Sequence, residues 1–181
     1  MFPLVILEHG TREDVDHYQR FTREFVSALD RYYAHAQTIG KFEIYTPAPR
    51  AHLQSADFGN AVALVGWSAQ PETLQAGNLQ LTLVWQAKQV MNRRYTTFVH
   101  FEKAGGTVTQ DDHEPRGGIY PTTHWAANEM VRETYALNVP EDLSPGKYAL
   151  RVGWYDTETG DRLPVPGSVD DAAVLEEYAV R

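Results

Sequence analysis

Beyond residue 50 the apolar positions alternate along the chain. In "FGNAVALVGWSA", Ala61, Ala63, Val65 and Trp67 alternate with Val62, Leu64 and Gly66. In "NLQLTLVWQAK", Leu79, Leu81, Leu83 and Trp85 fall on one face. In "YTTFVHFEK", Thr97, Val99 and Phe101 oppose Thr96, Phe98 and His100. In "MVRETYALNVP", Val131, Tyr135, Leu137 and Val139 share a face with Glu133, and in "KYALRVGWYD" Tyr148, Leu150, Val152 and Trp154 line up. Period two is the spacing of a strand that hides one face. "AAVLEEYAV" reads as a closing strand. The separators "QPETLQAGN", "KAGG", "PEDLSPG", "DTETGD" and "PVPGS" are turn-rich. Short alternating strands with no helices between them predict an antiparallel β-sandwich, jelly-roll or immunoglobulin-like, with Trp67, Trp85 and Trp154 in its core.

Before residue 50 the period differs. "PLVILEH" (Pro3 to His9) is an apolar run of strand length. Thr11 is a candidate N-cap, with Glu13 and Asp14 where the helix dipole favours negative charge. Val15, Tyr18, Phe21, Phe25, Leu29, Tyr32 and Ala36 then recur at steps of three and four, predicting a helix of about seven turns that stops at Gly40. "KFEIYTP" (Lys41 to Pro47) predicts a second strand. The expected class is therefore α+β: a β-α-β segment over residues 1–50, then an antiparallel β-sandwich domain over 51–181.

The 181 residues suit one ordinary domain, or one with a small appendage, and 43% hydrophobic residues supply a core. A net charge of −8 argues against a nucleic-acid footprint and against charge-driven docking on anionic lipid. With no cysteine, disulfides, thiolate zinc sites and cysteine nucleophiles are excluded. No apolar run approaches the ~20 residues of a membrane span. "MFPLVILEH" lacks the basic start and small-residue pattern of a signal peptide. G-x-S-x-G, P-loop and H-E-x-x-H motifs are absent, and the "EHG" after the first strand has no glycine-rich phosphate loop beside it.

The chemistry concentrates in "DDHEPRGGIYPTTHW", Asp111 to Trp125. As an active site it offers Asp111, Asp112 or Glu114 as acid or base, with His113 or His124 as proton shuttle. As a metal site it offers the hard oxygens of Asp111, Asp112 and Glu114 to calcium, although the spacing is not that of the EF-hand loop. Zinc through His113 and His124 lacks further ligands at a recognised spacing. As a long loop it needs anchors, and Tyr120 and Trp125 are large residues with polar ends. The anchored loop is the leading expectation; a ligand site comes second, and no cofactor beyond a structural calcium is expected. For a sugar, Tyr120, Trp125 and Tyr155 are the candidate aromatic platform. The candidate ligand-binding set is thus Asp111, Asp112, His113, Glu114, Tyr120, His124, Trp125 and Tyr155.

The order of "LQAGNLQLTLVWQA", "YTTFVHF", "QDDHEPRGGIYPTTHW" and "ETYALNVPEDLSPGKYALRVGWYDTETGDRLPV" over roughly residues 60–165 resembles the C-terminal, extracytoplasmic β-sandwich domain of bacterial membrane glycosyltransferase-like proteins of the dolichyl-phosphate-mannose–protein mannosyltransferase type. The resemblance implies an accessory domain outside the cytoplasm, attached to or derived from a membrane-embedded parent, with no catalytic residues to carry over. The expected function is a non-catalytic accessory module that binds a glycan or a protein partner. The alternatives are a carbohydrate-active hydrolase or lyase using the 111–125 loop, and a purely structural cap on a membrane domain, which requires an exposed apolar face near the helix or the sheet beside it.

Overall fold

The structure is a computed structural model and describes residues 5–8, 22–47, 52, 54–104 and 106–181. Two four-stranded antiparallel sheets form the sandwich. One runs β11-β10-β7-β8, made of β7 (Tyr95–Lys103), β8 (Gly106–His113), β10 (Gly146–Asp156) and β11 (Ala173–Val180). The other runs β4-β5-β6-β9, made of β4 (Ala56–Phe58), β5 (Val62–Gln70), β6 (Gly77–Ala87) and β9 (Met130–Val139). The alternation of the sequence decides which side chains meet. Leu81, Leu83, Trp85, Val99, Phe101, Val131, Tyr135, Leu137, Leu150, Val152 and Trp154 are all fully buried between the sheets. The indole of Trp154 meets those of Trp85 and Trp125 edge-on, at centroid distances of 5.0 and 5.8 Å. Such edge-to-face contacts suit aromatic quadrupoles.

In β5 the buried face changes partway. Val62 and Leu64 point inward, then Trp67 and Ala69 do. The pairing with β6 shifts register between Leu64 and Gly66. One extra residue at Val65 reverses the phase of every side chain after it. This is how both alternating sets of that strand contribute to one core.

The N-terminal segment departs from the expected β-α-β. The helix is α1 (Arg23–Tyr32), capped by Thr22, whose hydroxyl accepts from Phe25 N at 3.3 Å. The expected cap Thr11 and the positions Val15, Tyr18 and Phe21 lie outside the described residues. Tyr33–Ile39, expected as the last turns of the helix, is instead a strand, β2. It turns at Gly40 (φ 61°) into β3 (Phe42–Pro47), so Gly40 closes a hairpin and not a helix. With β1 (Val5–Glu8) they form an antiparallel sheet in the order β1-β3-β2. A helix would satisfy these backbone groups internally; here they pair with β3 instead, and the aromatic and β-branched Tyr33, Thr38 and Ile39 suit the strand. Of the expected helical stripe, Leu29 is buried with Leu7 and Tyr45, while Phe25 and Tyr32 are exposed and Val26 takes the inward position. Ile6, Ile39 and Phe42 are exposed on the same sheet, an apolar face of the kind an architectural cap requires.

Two contacts bind the parts at the outer edge of β9. Ser27 Oγ on α1 accepts from Met130 N at 2.8 Å, and Asp111 Oδ2 on β8 accepts from Ala136 N at 2.8 Å. Outward-facing amides of an edge strand are thereby satisfied by side chains of neighbouring elements.

A charged groove on the outer face of one sheet

Along β10, Leu150 and Val152 point into the core, so Lys147, Ala149 and Arg151 point outward. Ala149 pairs with Glu102 on β7 and with Glu177 on β11. Opposed residues of an antiparallel pair share a face, with Cβ atoms roughly 4.5–5.5 Å apart. Ala149 is therefore a small floor ringed by four long side chains of alternating sign: Glu102 and Glu177 across the strands, Lys147 and Arg151 along its own. These residues line an open groove of about 490 Å³.

One side of the ring is held rigidly. Arg151 Nη1 donates to Glu102 Oε2 at 3.2 Å, and Nη2 donates to Asp170 Oδ1. Asp170 chiefly, with Glu102 behind it, holds the guanidinium protonated beyond its already high range, while Arg151 holds the Asp170 carboxyl below the ordinary value. Glu102 is bonded in turn by His100 Nδ1 at 3.3 Å, and His100 Nε2 lies 3.2 Å from Asp112 Oδ1 on β8. The other side is open. Lys147 and Glu177 are exposed, and neither has an ion-pair partner among the described residues. At the groove's end Lys103 Nζ donates to Ser144 Oγ at 2.6 Å and Pro145 O at 3.0 Å. Its stem lies over Gly146, where a Cβ would come within 2.7 Å of Lys103 Cε. Glycine at that position is what lets the lysine lie flat as an end wall.

The stretch from Asp111 to Trp125 is built differently from the expectation. Asp111, Asp112 and His113 are the last residues of β8 and not part of a loop. Successive residues of a strand point to opposite faces. Asp111 accordingly turns to the Ala136 amide on β9, Asp112 to His100 and the Val99 amide, and Glu114 to Arg94 Nε at 2.7 Å. Three carboxylates with three separate partners converge neither on a bond to be cleaved nor on an ion. Among the described residues no cluster of three His, Asp or Glu side chains is arranged to hold a metal. His113 stacks on the buried Tyr135 ring at 4.4 Å and donates from Nδ1 to Glu114 O at 3.0 Å. His124 is exposed on the 3-10 turn Thr122–His124, its ring edge-on to Tyr120.

Tyr120 and Trp125 are anchors. Trp125 is 1% exposed, and its indole N–H donates to Tyr120 O at 3.2 Å. Tyr120 is 6% exposed and its hydroxyl donates to Glu129 Oε1 at 2.8 Å. Neither offers a ring face to a ligand, which corrects the expectation of an exposed platform. Their size decides it: each fills core volume while its polar end finds a partner, Trp125 within the segment and Tyr120 just beyond it at Glu129. Tyr155 is half-buried on the outer face of β10 beside Arg162, away from the residues that line the groove. Among the eight expected ligand residues only Asp112 touches the network behind the groove. The groove residues Glu102, Lys147, Ala149, Arg151 and Glu177 lie outside the candidate set that the sequence offers. The visible signal was the polar half of the alternation in "KYALRV", which marks an outward face without saying which strands flank it.

The fold and groove together define an antiparallel β-sandwich with an open, charged groove on the outer face of one sheet. No family model matches the chain, and no curated protein does either. Among solved structures, the C-terminal domain of Wzt is similar over 73% of this chain and 75% of that one, with 11% identity and a TM-score of 0.44. A likeness at that level leaves function to the residues of the groove itself, and none of the comparisons links the chain to mannosyltransferase-type proteins.

Proposed function

We propose that this protein is a non-catalytic accessory module that binds a glycan in the groove centred on Ala149, in the extracytoplasmic setting that its sequence resemblance implies. The observation that carries the reading is the ring of alternating charge around a small floor residue. Sugar hydroxyls both donate and accept. Glu102 and Glu177 only accept, and Lys147 and Arg151 only donate, so one ring can bond neighbouring hydroxyls in both directions. Bonds to charged partners are the stronger kind. The Arg151 side is fixed before a ligand arrives, which lowers the ordering cost of binding.

Hydrolysis is the rival reading, and the two glutamates on either side of Ala149 are its best support. Its difficulty is the setting. A general-acid carboxyl sits in an apolar pocket or beside another carboxylate. Glu102 is instead bonded by a guanidinium and an imidazole, in a groove open to water. The division into residues 1–50 and 51–181 belongs to the same proposal: the sandwich carries the groove, and the N-terminal segment leans on β9 through Ser27.

The test is a glycan array followed by amide-shift titration of any hit, comparing the wild type with Ala149→Trp. The substitution fills the groove from the outer face and leaves the core alone. Binding that shifts the amides of 102, 149, 151 and 177 and disappears in Ala149→Trp supports the reading. Binding unchanged in that variant, or hits that are cleaved during the titration, overturns it.

A further inference from the structure

His100 stands on the outer face of β7, two residues before Glu102, and each of its ring nitrogens faces a carboxylate. Nδ1 lies 3.3 Å from Glu102 Oε1 and Nε2 lies 3.2 Å from Asp112 Oδ1. A neutral imidazole has one N–H and one acceptor nitrogen. It can donate to one of these carboxylates, and its lone pair must then face the oxygens of the other. Only the imidazolium donates to both.

The remaining neighbours fit the charged form. From β8 come Asp112 and the register partner Gln110, and from β7 itself Glu102 and the Phe98 ring, 4.9 Å away. From β10 comes Arg151, the other register partner, whose charge opposes a second cation beside it. Both arms of Arg151, however, are bound to Glu102 and Asp170. Arg162 lies over the far neighbour Phe98 and donates to Asp170 O. Partial burial of His100 disfavours its charge, but Asp112 and then Glu102 more than compensate, and its pKa is raised above the ordinary value.

Loss of the proton forces a choice between the carboxylates. Apart from His100, Asp112 accepts among the described residues only from Val99 N at 3.3 Å and Gln110 Nε2 at 3.5 Å, neither of them a cation, whereas Glu102 keeps the Arg151 guanidinium, so Asp112 is the carboxylate that most needs the N–H. The neutral ring keeps its N–H toward Asp112, and its Nδ1 lone pair then repels Glu102 Oε1. Glu102 stays on Arg151 through Oε2, and its other oxygen is released toward the groove. We propose that His100 is a proton-operated latch on Glu102: protonated, it occupies one of that carboxylate's oxygens; neutral, it frees that oxygen to accept from a ligand in the groove. The effect on glycan binding rests on the function proposed above, whereas the latch itself is a property of the unliganded protein.

The decisive measurement is an NMR titration of the whole chain between about pH 5 and pH 9, across the histidine range. It follows the His100 ring nitrogens, the Glu102 side-chain carboxyl carbon and Arg151 Nε. The expected result is a His100 midpoint above the unperturbed ~6.5, with both ring nitrogens protonated below it. The Glu102 and Arg151 signals should inflect at the same midpoint and lose that inflection in His100→Gln. A His100 that is neutral at or below ~6.5, or a Glu102 signal indifferent to its titration, overturns the latch. The wild-type titration decides this even if the variant does not fold. An array without a single glycan hit removes the proposed function and leaves the titration result standing. If glycans do bind, affinity should rise through the His100 midpoint in the wild type and stay flat in His100→Gln.

Discussion

Asp111 at the end of β8 accepts a hydrogen bond from the backbone amide of Ala136 on β9, 2.8 Å away across the seam between the two sheets. Both strands are sheet edges. The contact therefore closes one side of the sandwich and satisfies an outward-facing amide. Asp111→Ala should cost about 1 kcal/mol, the worth of one such bond, and should speed hydrogen exchange at Ala136. Asp111→Asn retains an acceptor oxygen and should recover most of the loss. Urea unfolding and amide exchange measure both effects, and an unchanged Ala136 rate in Asp111→Ala would show that the bond does not form in solution.

Trp125 is a packing residue. Trp125→Ala removes a fully buried ring that meets Trp154 edge-on and a bond to Tyr120 O. The expected loss is about 3–5 kcal/mol, read as a large fall in the urea midpoint. Any loss of glycan binding in that variant should follow the unfolded fraction. Reduced binding by a fully folded Trp125→Ala would return the ligand site to the 111–125 segment.

Gly153 lies between β7 and the loop before β11. A Cβ there would come 2.3 Å from Phe98 Cζ and 2.9 Å from Asp171 O. One neighbour is a buried ring and the other is backbone, so neither can yield cheaply. Gly153→Ala should destabilise by about 1–3 kcal/mol through overpacking, visible as a lowered thermal midpoint. The paired variant Gly153→Ala/Phe98→Leu should recover part of it, because the ring is the principal obstacle.

His100 and Asp156 should shape stability in opposite pH directions. The folded pKa of His100 is raised by Asp112 and Glu102 against a burial penalty. Its stabilisation is complete below the unfolded value near 6.5 and is lost as pH rises through the folded value. Asp156 is held low by Arg93 and then by the amides of Glu158 and Thr159. Its stabilisation is present above the unfolded carboxyl value and is lost as pH falls through the depressed folded one. The stability gap between wild type and His100→Gln should therefore narrow from pH 6 to pH 9, roughly the histidine window. The gap for Asp156→Asn should narrow only in strong acid. Urea midpoints across pH give both curves, and parallel curves for either pair refute that assignment.

Much of the sandwich was legible because a half-buried strand writes its geometry into every second residue. Leu79, Leu81, Leu83 and Trp85 are buried as their spacing requires. The N-terminal segment misled for a related reason. The stretch "YAHAQTI" continues a three-and-four spacing, yet Tyr33–Ile39 is a strand that finds its partner only after the turn at Gly40. Period alone does not report what lies across a hairpin. The groove was hidden more deeply. Glu102, Ala149 and Glu177 are far apart in the chain, and only the register of three strands brings them side by side. Asp111 and Asp112, adjacent in sequence, are separated by the pleat and serve different neighbours.

The small residue at the centre of that ring has a consequence for what can be made from this protein. Ala149 and its charged surroundings occupy the side of the sheet that takes no part in the interior packing between the layers. Randomising positions 102, 147, 149 and 177 is thus a route to new binding specificities in which selection samples mostly folded molecules, as it does in loop-displayed repertoires, but on a rigid strand platform.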